Sequence, residues 1–320
     1  MLFDTSEAAA GGPEFLDVAV LAGGNSAERD VSLASGRAVA AALTARGHHV
    51  TRFDPAEVDL DSINWRELDV CFIALHGGAG ENGQIQLQLE EIGIPYTGSS
   101  PVAARLAMSK SGAKDRFLQY DIATPAWQMI RATAPITTII RNLAAIGFPA
   151  VIKPDNQGSS LGVSVAWTPD DVAEAVETSS QYQSFLIAER LIAGRELTVA
   201  VLDGRALPVL EITHDRAVFD YSTKRAPATG SVVPLEDGDP LAQRAASLAV
   251  EASEALGTRG LVRVDLMVDE NNQPWVLEVN AVPGMTDQSL APLAAREMGC
   301  DMPRLCDFML RSAMALEVAR

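Results

Sequence analysis

Two apolar runs constrain this chain more than any other feature: Arg263-Val264-Asp265-Leu266, then Trp275-Val276-Leu277-Glu278-Val279-Asn280. Val264, Leu266, Val276, Leu277 and Val279 make both read as buried, central strands. On a strand, residues two apart share a face, so Glu278 and Asn280 point the same way. Asp265 can reach that face from the partner strand, with Arg263 beside it. A hairpin with a solvated polar face is the plainer reading, but the apolar neighbours argue against it. Buried carboxylates without a cation are costly. Three hard oxygen donors of this kind suit Mg²⁺, which is usually held by one or two carboxylates plus substrate phosphates.

At about 150 residues per domain, 320 residues allow two or three domains. Apolar residues make up 48% of the chain, ample for sizeable cores. A net charge of −17 argues against a nucleic-acid surface, because phosphate backbones need clustered Lys and Arg. Cys71, Cys300 and Cys306 share no metal-like spacing and suggest no disulfide framework, so a reducing, cytoplasmic setting is expected. Residues 1–14 are acidic and Gly/Ala-rich, without a basic start or apolar core. They are expected to be a disordered lead-in rather than a secretion signal. No apolar run is long enough to span a bilayer, so no membrane partner is expected.

The first third alternates strand and helix. Strands are expected at Leu16–Leu21, Val50–Phe53, Val70–Leu75 and Ile94–Thr97. Helices are expected through Val31–Leu43 and over Gly83–Ile92. Repeated βα units imply a parallel sheet with ligands at the strand C-terminal ends. Two glycine-bearing loops sit there, Gly23–Glu28 and His76–Gly83. A second unit holds a helix over Lys110–Tyr120, strands at Ala150–Pro154, Leu161–Ala166 and Phe185–Arg190, and a helix over Asp170–Thr178. Strands at Leu197–Leu202 and Ala206–Ile212, a helix over Leu241–Leu256, the hairpin and two terminal helices complete the chain. The expected boundaries are 15–106, 107–191 and 192–320. The polar segment at about 213–236 is long for a structureless connection, which marks it as a candidate lid.

Gly158-Ser159-Ser160-Leu161-Gly162 follows Lys153 and joins two strands. Small residues let backbone N–H groups approach phosphates, and the lysine supplies a point charge. Alone such a loop is usually a plain turn; beside a hairpin suited to a cation the phosphate reading gains weight. Glu189 and Leu191 end a strand whose exposed backbone could read an adenine edge, or be an ordinary strand end. Glu28 stands near a helix start, either as a first-turn carboxylate favoured by the helix dipole or as one aimed at a substrate amine. His76 ends a strand among glycines, structural or accessible for chemistry.

In order and spacing, GGNSAERDVSLASG, ALHGGAGENGQIQ, IPYTGSS, KPDNQGSSLGV, AERLIAGRELTV, FDYSTK, RVDLMVD and LEVNAVPGMTDQSL resemble the motifs of D-alanine–D-alanine ligases of the ATP-grasp superfamily. The resemblance runs from about Asp17 to Pro303. It implies an α/β chain of ATP-grasp fold: a parallel N-terminal domain and two α+β domains clasping ATP. It implies that Lys110 and Lys153 hold ATP phosphates under a loop carrying Ser159 and Ser160. Glu189 and Leu191 would contact adenine, and Glu196 the ribose. Asp265, Glu278 and Asn280 would bind two Mg²⁺, or Mn²⁺ in their stead. Glu28, oriented by Ser159, would bind the ammonium of the first D-alanine, with His76 nearby. Arg263 and the Gly284 backbone N–H would stabilise the oxyanion. Ser289 and Leu290 would receive the carboxylate of the second D-alanine, and Lys224 would sit on the lid. A homodimer is also implied.

The sequence departs from the family pattern at several points. Arg225 follows Lys224 where tyrosine is common, and Phe219 stands where an aromatic hydroxyl is frequent. Asn82 and Ser109 replace aspartates. Three readings stay open here: a ligase of two D-alanines for peptidoglycan precursors, a ligase of D-alanine to another acceptor such as D-serine or D-lactate, and an inactive ATP-binding regulator.

Overall fold

The structure is a computed structural model and describes residues 14–213, 231–236 and 238–318. The lid residues Phe219, Lys224 and Arg225, and nearly all of the expected lead-in, lie outside the described residues.

The chain opens with β1 (Asp17–Leu21), α1 (Arg29–Ala45), β2 (His49–Phe53), β3 (Val70–Ile73), α2 (Gln84–Ile92) and α3 (Pro101–Met108). β1 to β3 form a parallel sheet in the order β2-β1-β3. Val18, Val20 and Phe72 pack toward α1, while Ala19, Leu21 and Ile73 pack toward Ile85 and Leu89 of α2. This two-sided burial explains why β1 and β3 read as unbroken apolar runs. The expected strand at Ile94–Thr97 is reduced to one bridge, Tyr96 to Cys71.

Next come α4 (Lys110–Gln119), β4 (Trp127–Arg131), α5 (Ile136–Ile146), β5 (Ala150–Pro154), β6 (Ser164–Ala166), α6 (Val172–Ser180) and β7 (Phe185–Arg190). The strands form an antiparallel sheet, β4-β7-β5-β6, backed by α5 and α6. Neither β4 nor α5 was expected from the sequence. The α5 segment, ITTIIRNLAAI, carries Ile136, Ile139, Ile140 and Leu143 at helical spacing, a signal the sequence reading passed over, although its β-branched residues also suit a strand. Packing decides the matter, because Ile139 and Leu143 fall one turn apart on the buried side.

The remainder holds β8 (Arg195–Leu202), β9 (Arg205–Ala206), β10 (Leu210–Thr213), β11 (Ser231–Pro234), α7 (Pro240–Leu256), β12 (Leu261–Val268), β13 (Pro274–Asn280), α8 (Leu290–Glu297) and α9 (Met302–Val318). These strands pair in the order β11-β10-β8-β12-β13, with β9 on β8. Val262, Val264, Leu266 and Val268 face a core shared with α7, α3 and α4, so Arg263 and Asp265 face the other way. Across the ladder Arg263 stands opposite Asn280, and Asp265 opposite Glu278. The register slips between Asp265 and Leu266, leaving Leu277 as the extra residue of a bulge. That slip lets Val276 and Val279 both enter the core while Glu278 and Asn280 share the open face. Among the described residues no helix is long and apolar enough to cross a membrane.

α1 is tied to α9 by a buried charge cluster. Asp307, 1% exposed, accepts from Arg46 at 3.1 Å, from His48 Nε2 at 3.0 Å and from Arg311 at 3.0 Å. His48 Nδ1 accepts the Leu16 N–H, which leaves the proton on Nε2. Removing the carboxylate would strand the cations around it. Asp307→Ala should therefore lower the unfolding free energy by roughly 3–5 kcal/mol. Chemical denaturation measures this, and a loss below ~1 kcal/mol would mean the cluster is screened like a surface pair.

Candidate functional site

The open face of the β12–β13 hairpin gathers alternating charges. Arg263 grips Asp265 through two hydrogen bonds, of 2.8 and 2.7 Å, and Thr198 Oγ1 donates to the same carboxylate at 2.7 Å. Glu278 lies 3.2 Å from Lys110 Nζ, at the N-terminus of α4, and Lys110 also donates to the Gln157 carbonyl at 2.7 Å. Lys153, on β5, pairs with Glu189 of β7 at 2.9 Å. Burial alone would push the Glu278 carboxyl up, but Lys110, Lys153 and Arg263 together hold it at about 2. Glu189 likewise stays below the ordinary carboxylate range, against burial, because of Lys114 and Lys153.

Lys114 carried no signal in the sequence. It is fully buried, 3.4 Å from Glu189, and donates to Thr124 Oγ1 at 2.6 Å. Burial brings its ammonium down to about 8, although the Glu189 charge works the other way. Only tertiary packing brings its helix against the end of β7.

Glu28 sits at the N-terminal edge of α1, beneath the loop joining β5 to β6. Ser159 Oγ donates a very short hydrogen bond to Glu28 Oε1. Glycines flank the carboxylate: a Cβ at Gly77, which holds a φ of 66°, would stand 2.5 Å from Glu28 Oε2, and one at Gly158 would stand 2.8 Å from it, so either would oblige the Glu28 side chain to shift. Burial raises the Glu28 carboxyl above its ordinary value, and the charge of Glu81 adds to this. The Ser159 hydrogen bond is the strongest opposing influence, ahead of His76 and Arg263. Glu81 is buried, a second carboxylate near Glu28 that the sequence reading passed over.

His76 is 4% exposed, with Nδ1 3.0 Å from the Val282 carbonyl and Nε2 2.8 Å from Ser35 Oγ. Gly284 and Ser289 adjoin, since a Cβ on Gly284 would stand 2.8 Å from Ser289 Oγ. Ser289 precedes α8 as its N-cap and Leu290 opens it, so helix N–H groups there are suited to a carboxylate. The Leu191 N–H, just past β7, donates to the Pro149 carbonyl at 3.0 Å. Glu196 lies on β8, opposite Ile212 and Met267. Ser160 follows Ser159 in the same left-handed turn, with φ of 57° and 49°.

Two departures from the family pattern find local explanations. Ser109 caps α4 by accepting from the Gly112 N–H and donates to Asp155 Oδ2 at 3.0 Å. Asp155 in turn accepts from the Ser111 N–H at 2.7 Å. A carboxylate therefore still faces the start of α4, supplied by β5's end rather than by residue 109. Asn82 Oδ1 accepts from the Gln84 N–H at 3.1 Å, so it serves the first turn of α2.

The fold is that of ligases already seen in three dimensions. The D-alanine–D-alanine ligase of Bacillus anthracis, solved in complex with ATP, superposes with a TM-score of 0.83 at 29% identity, over 95% of this chain and 99% of that one. The enzyme of Coxiella burnetii, 22% identical with a TM-score of 0.81, shares the fold. Residues 51–99 match the family described as D-ala D-ala ligase N-terminus, and residues 117–311 the one described as D-ala D-ala ligase C-terminus. The D-alanine–D-alanine ligase of Gloeobacter violaceus is 42% identical over 90% of this chain and 96% of its own length. That of Halorhodospira halophila is 40% identical over 93% and 96%. The chain belongs to the D-alanine–D-alanine ligase family.

Ser159→Ala removes the largest influence lowering the Glu28 carboxyl, so that group should titrate at still higher pH. Where activity needs ionised Glu28, the acid limb of the kcat/KM profile should move upward in pH. A limb that stays in place would show that Glu28 does not control it.

Proposed function

We propose that this chain joins two D-alanines into D-alanyl-D-alanine at the expense of ATP, supplying peptidoglycan precursor synthesis in the cytoplasm. The observation that carries this reading is the hairpin face of Arg263, Asp265, Glu278 and Asn280, set against Lys110 and facing the Glu28–Ser159 contact. We take 15–106 as the amino-acid domain and 107–191 and 192–320 as the two halves clasping ATP, with the enzyme working as a homodimer.

The residues fit Mg²⁺. The donors are hard oxygens on one face, and the cations around Glu278 keep its carboxylate ionised throughout the physiological range. Asp265, Glu278 and Asn280 would hold the metal, displacing the Arg263 and Lys110 contacts in part. When bound, Mg²⁺ would offset phosphate charge and align the γ-phosphoryl group.

The chain's own groups do the rest. Lys110 and Lys153 bind the phosphates, under the Ser159–Ser160 loop. Glu189 and Leu191 border the adenine, Glu196 holds the ribose, and Lys224 of the lid closes over the phosphates. Glu28 holds the ammonium of the first D-alanine, and the carboxylate of that D-alanine attacks the γ-phosphorus, releasing ADP and leaving a D-alanyl phosphate. The second D-alanine is held by its carboxylate at Ser289 and Leu290. Its amine attacks the acyl carbon, and the negative charge that forms on oxygen is met by Arg263 and the Gly284 N–H. Collapse expels phosphate and forms the peptide bond. Water must be kept out, because it would hydrolyse the acyl phosphate.

Phosphate release from ATP, measured with D-alanine, L-alanine, D-serine and D-lactate and with the products identified, tests the assignment. D-alanyl-D-alanine should be the main product; preference for a D-lactate ester near neutral pH would overturn it. Glu278→Gln should abolish turnover while circular dichroism is unchanged. Arg263→Ala should lower kcat by at least ~10²-fold, the scale for losing one oxyanion donor. A raised KM at constant kcat would instead make Arg263 a ground-state binder.

A further inference from the structure

The segment Val282–Met285, which carries Gly284, is gripped at both ends by side chains from the layer of the first sheet. At one end the Val282 carbonyl lies 3.0 Å from His76 Nδ1. At the other the Met285 N–H donates to Ser35 Oγ at 3.1 Å. The two gripping side chains meet, with Ser35 Oγ 2.8 Å from His76 Nε2.

Hydrogen-bond chemistry sets the proton positions. A carbonyl only accepts, so Nδ1 carries a hydrogen and donates to Val282. In the tautomer with its one hydrogen on Nδ1, Nε2 accepts from the Ser35 hydroxyl. Ser35 Oγ keeps its lone pairs for the Met285 N–H. Each polar atom in the relay is used, in a setting where Ser35 is 0%, Met285 1% and His76 4% exposed. In such a setting a missing partner is costly. The Val282 N–H also donates to Asn280 Oδ1 at 3.1 Å, so the clamped segment starts from the hairpin face itself. Pro283, inside the clamp, has its φ fixed by its ring.

We propose that Ser35 and His76 are positioning residues: a clamp, reaching from α1 and the end of β3, that aims the Gly284 N–H at the oxygen of the reacting carbonyl. This rests on the reading that Gly284 stabilises the oxyanion. The two side chains bear on Gly284 through their hydrogen bonds to Val282 and Met285. Ser35 lies in the LASG stretch of α1, whose helical pattern gave it no separate signal.

The clamp serves the second half-reaction, where the tetrahedral oxyanion forms, and not the phosphorylation before it. The test is Ser35→Ala in the full chain, with Ser35→Thr as the variant that keeps the hydroxyl. Dipeptide formation gives kcat and the KM values for ATP and D-alanine. Positional isotope exchange in ¹⁸O-labelled ATP, with D-alanine present, reports reversible acyl-phosphate formation by itself. Ser35→Ala should lower kcat by ~10–10²-fold, the scale of a misplaced reacting group. KM for ATP and isotope exchange should stay within about twofold, and Ser35→Thr should recover most of the loss. An unchanged kcat, or a fall in exchange that matches the fall in kcat, would overturn the clamp. If Ser35→Ala does not fold, His76→Gln is read by the same criteria. A wild-type chain that makes no dipeptide would instead sink the reading of function on which the clamp rests.

Discussion

The site depends on one constraint: cations and carboxylates from different parts of the chain are packed together, buried around Glu189 and half-buried at Glu278, Arg263 and Asp265, and must neutralise one another. Lys114, Glu189 and Lys153 form one such group, Lys110 and Glu278 a second, Arg263 and Asp265 a third. Removing a member of the buried group around Glu189 leaves a charge in a medium that solvates it poorly, which costs more than the pair contributes; the half-buried pairs lose less. The groups also bridge the structure, because Lys110 belongs to α4, Lys153 and Glu189 to the four-stranded sheet, and Glu278 to β13. They fix how the antiparallel sheets meet, and so where phosphate-binding lysines stand relative to the hairpin.

Local pattern made the hairpin legible. Alternation put Arg263 and Asp265 on one face of β12, and the apolar residues around them required that face to be enclosed. The agreement of β13 was less secure than it looked. Strict alternation from Val276 would put Glu278 on the core side with it; the bulge at Leu277 changes the parity, and the functional face survives because of it. The order of motifs carried the family, and the glycine loops after β1 and β3 lie at the strand C-terminal ends, where a parallel sheet exposes them.

What the sequence hid is long-range. Lys114 is a buried cation only because α4 packs against β7 and β13; by itself it reads as one more polar residue on a helix. Ser109 looked like a loss until Asp155, 46 residues away, was seen to supply the carboxylate. Ser35 looked like filler on α1, yet it meets Met285 across 250 residues of chain. β4 and α5 were missed for local reasons: β4 is short and of mixed composition, whereas α5 carries Ile136, Ile139, Ile140 and Leu143 at a helical spacing that was passed over.

The loop over the site shows how such distant contacts become functional. Ser159 and Ser160 both hold positive φ, a conformation costing of order 1–3 kcal/mol per non-glycine residue unless its surroundings enforce it. One enforcing contact is the hydrogen bond from Ser159 to Glu28, which comes from the opposite sheet layer. The glycines beside Glu28 let that bond form, because a Cβ at Gly77 or Gly158 would fill the space the carboxylate occupies. The same carboxylate is raised by burial and lowered by Ser159, so the turn that strains the loop also tunes the charge beneath it. Loop conformation and Glu28 ionisation are therefore one property of the fold: protonating Glu28 weakens the acceptor that holds the turn, and relaxing the turn leaves Glu28 easier to protonate.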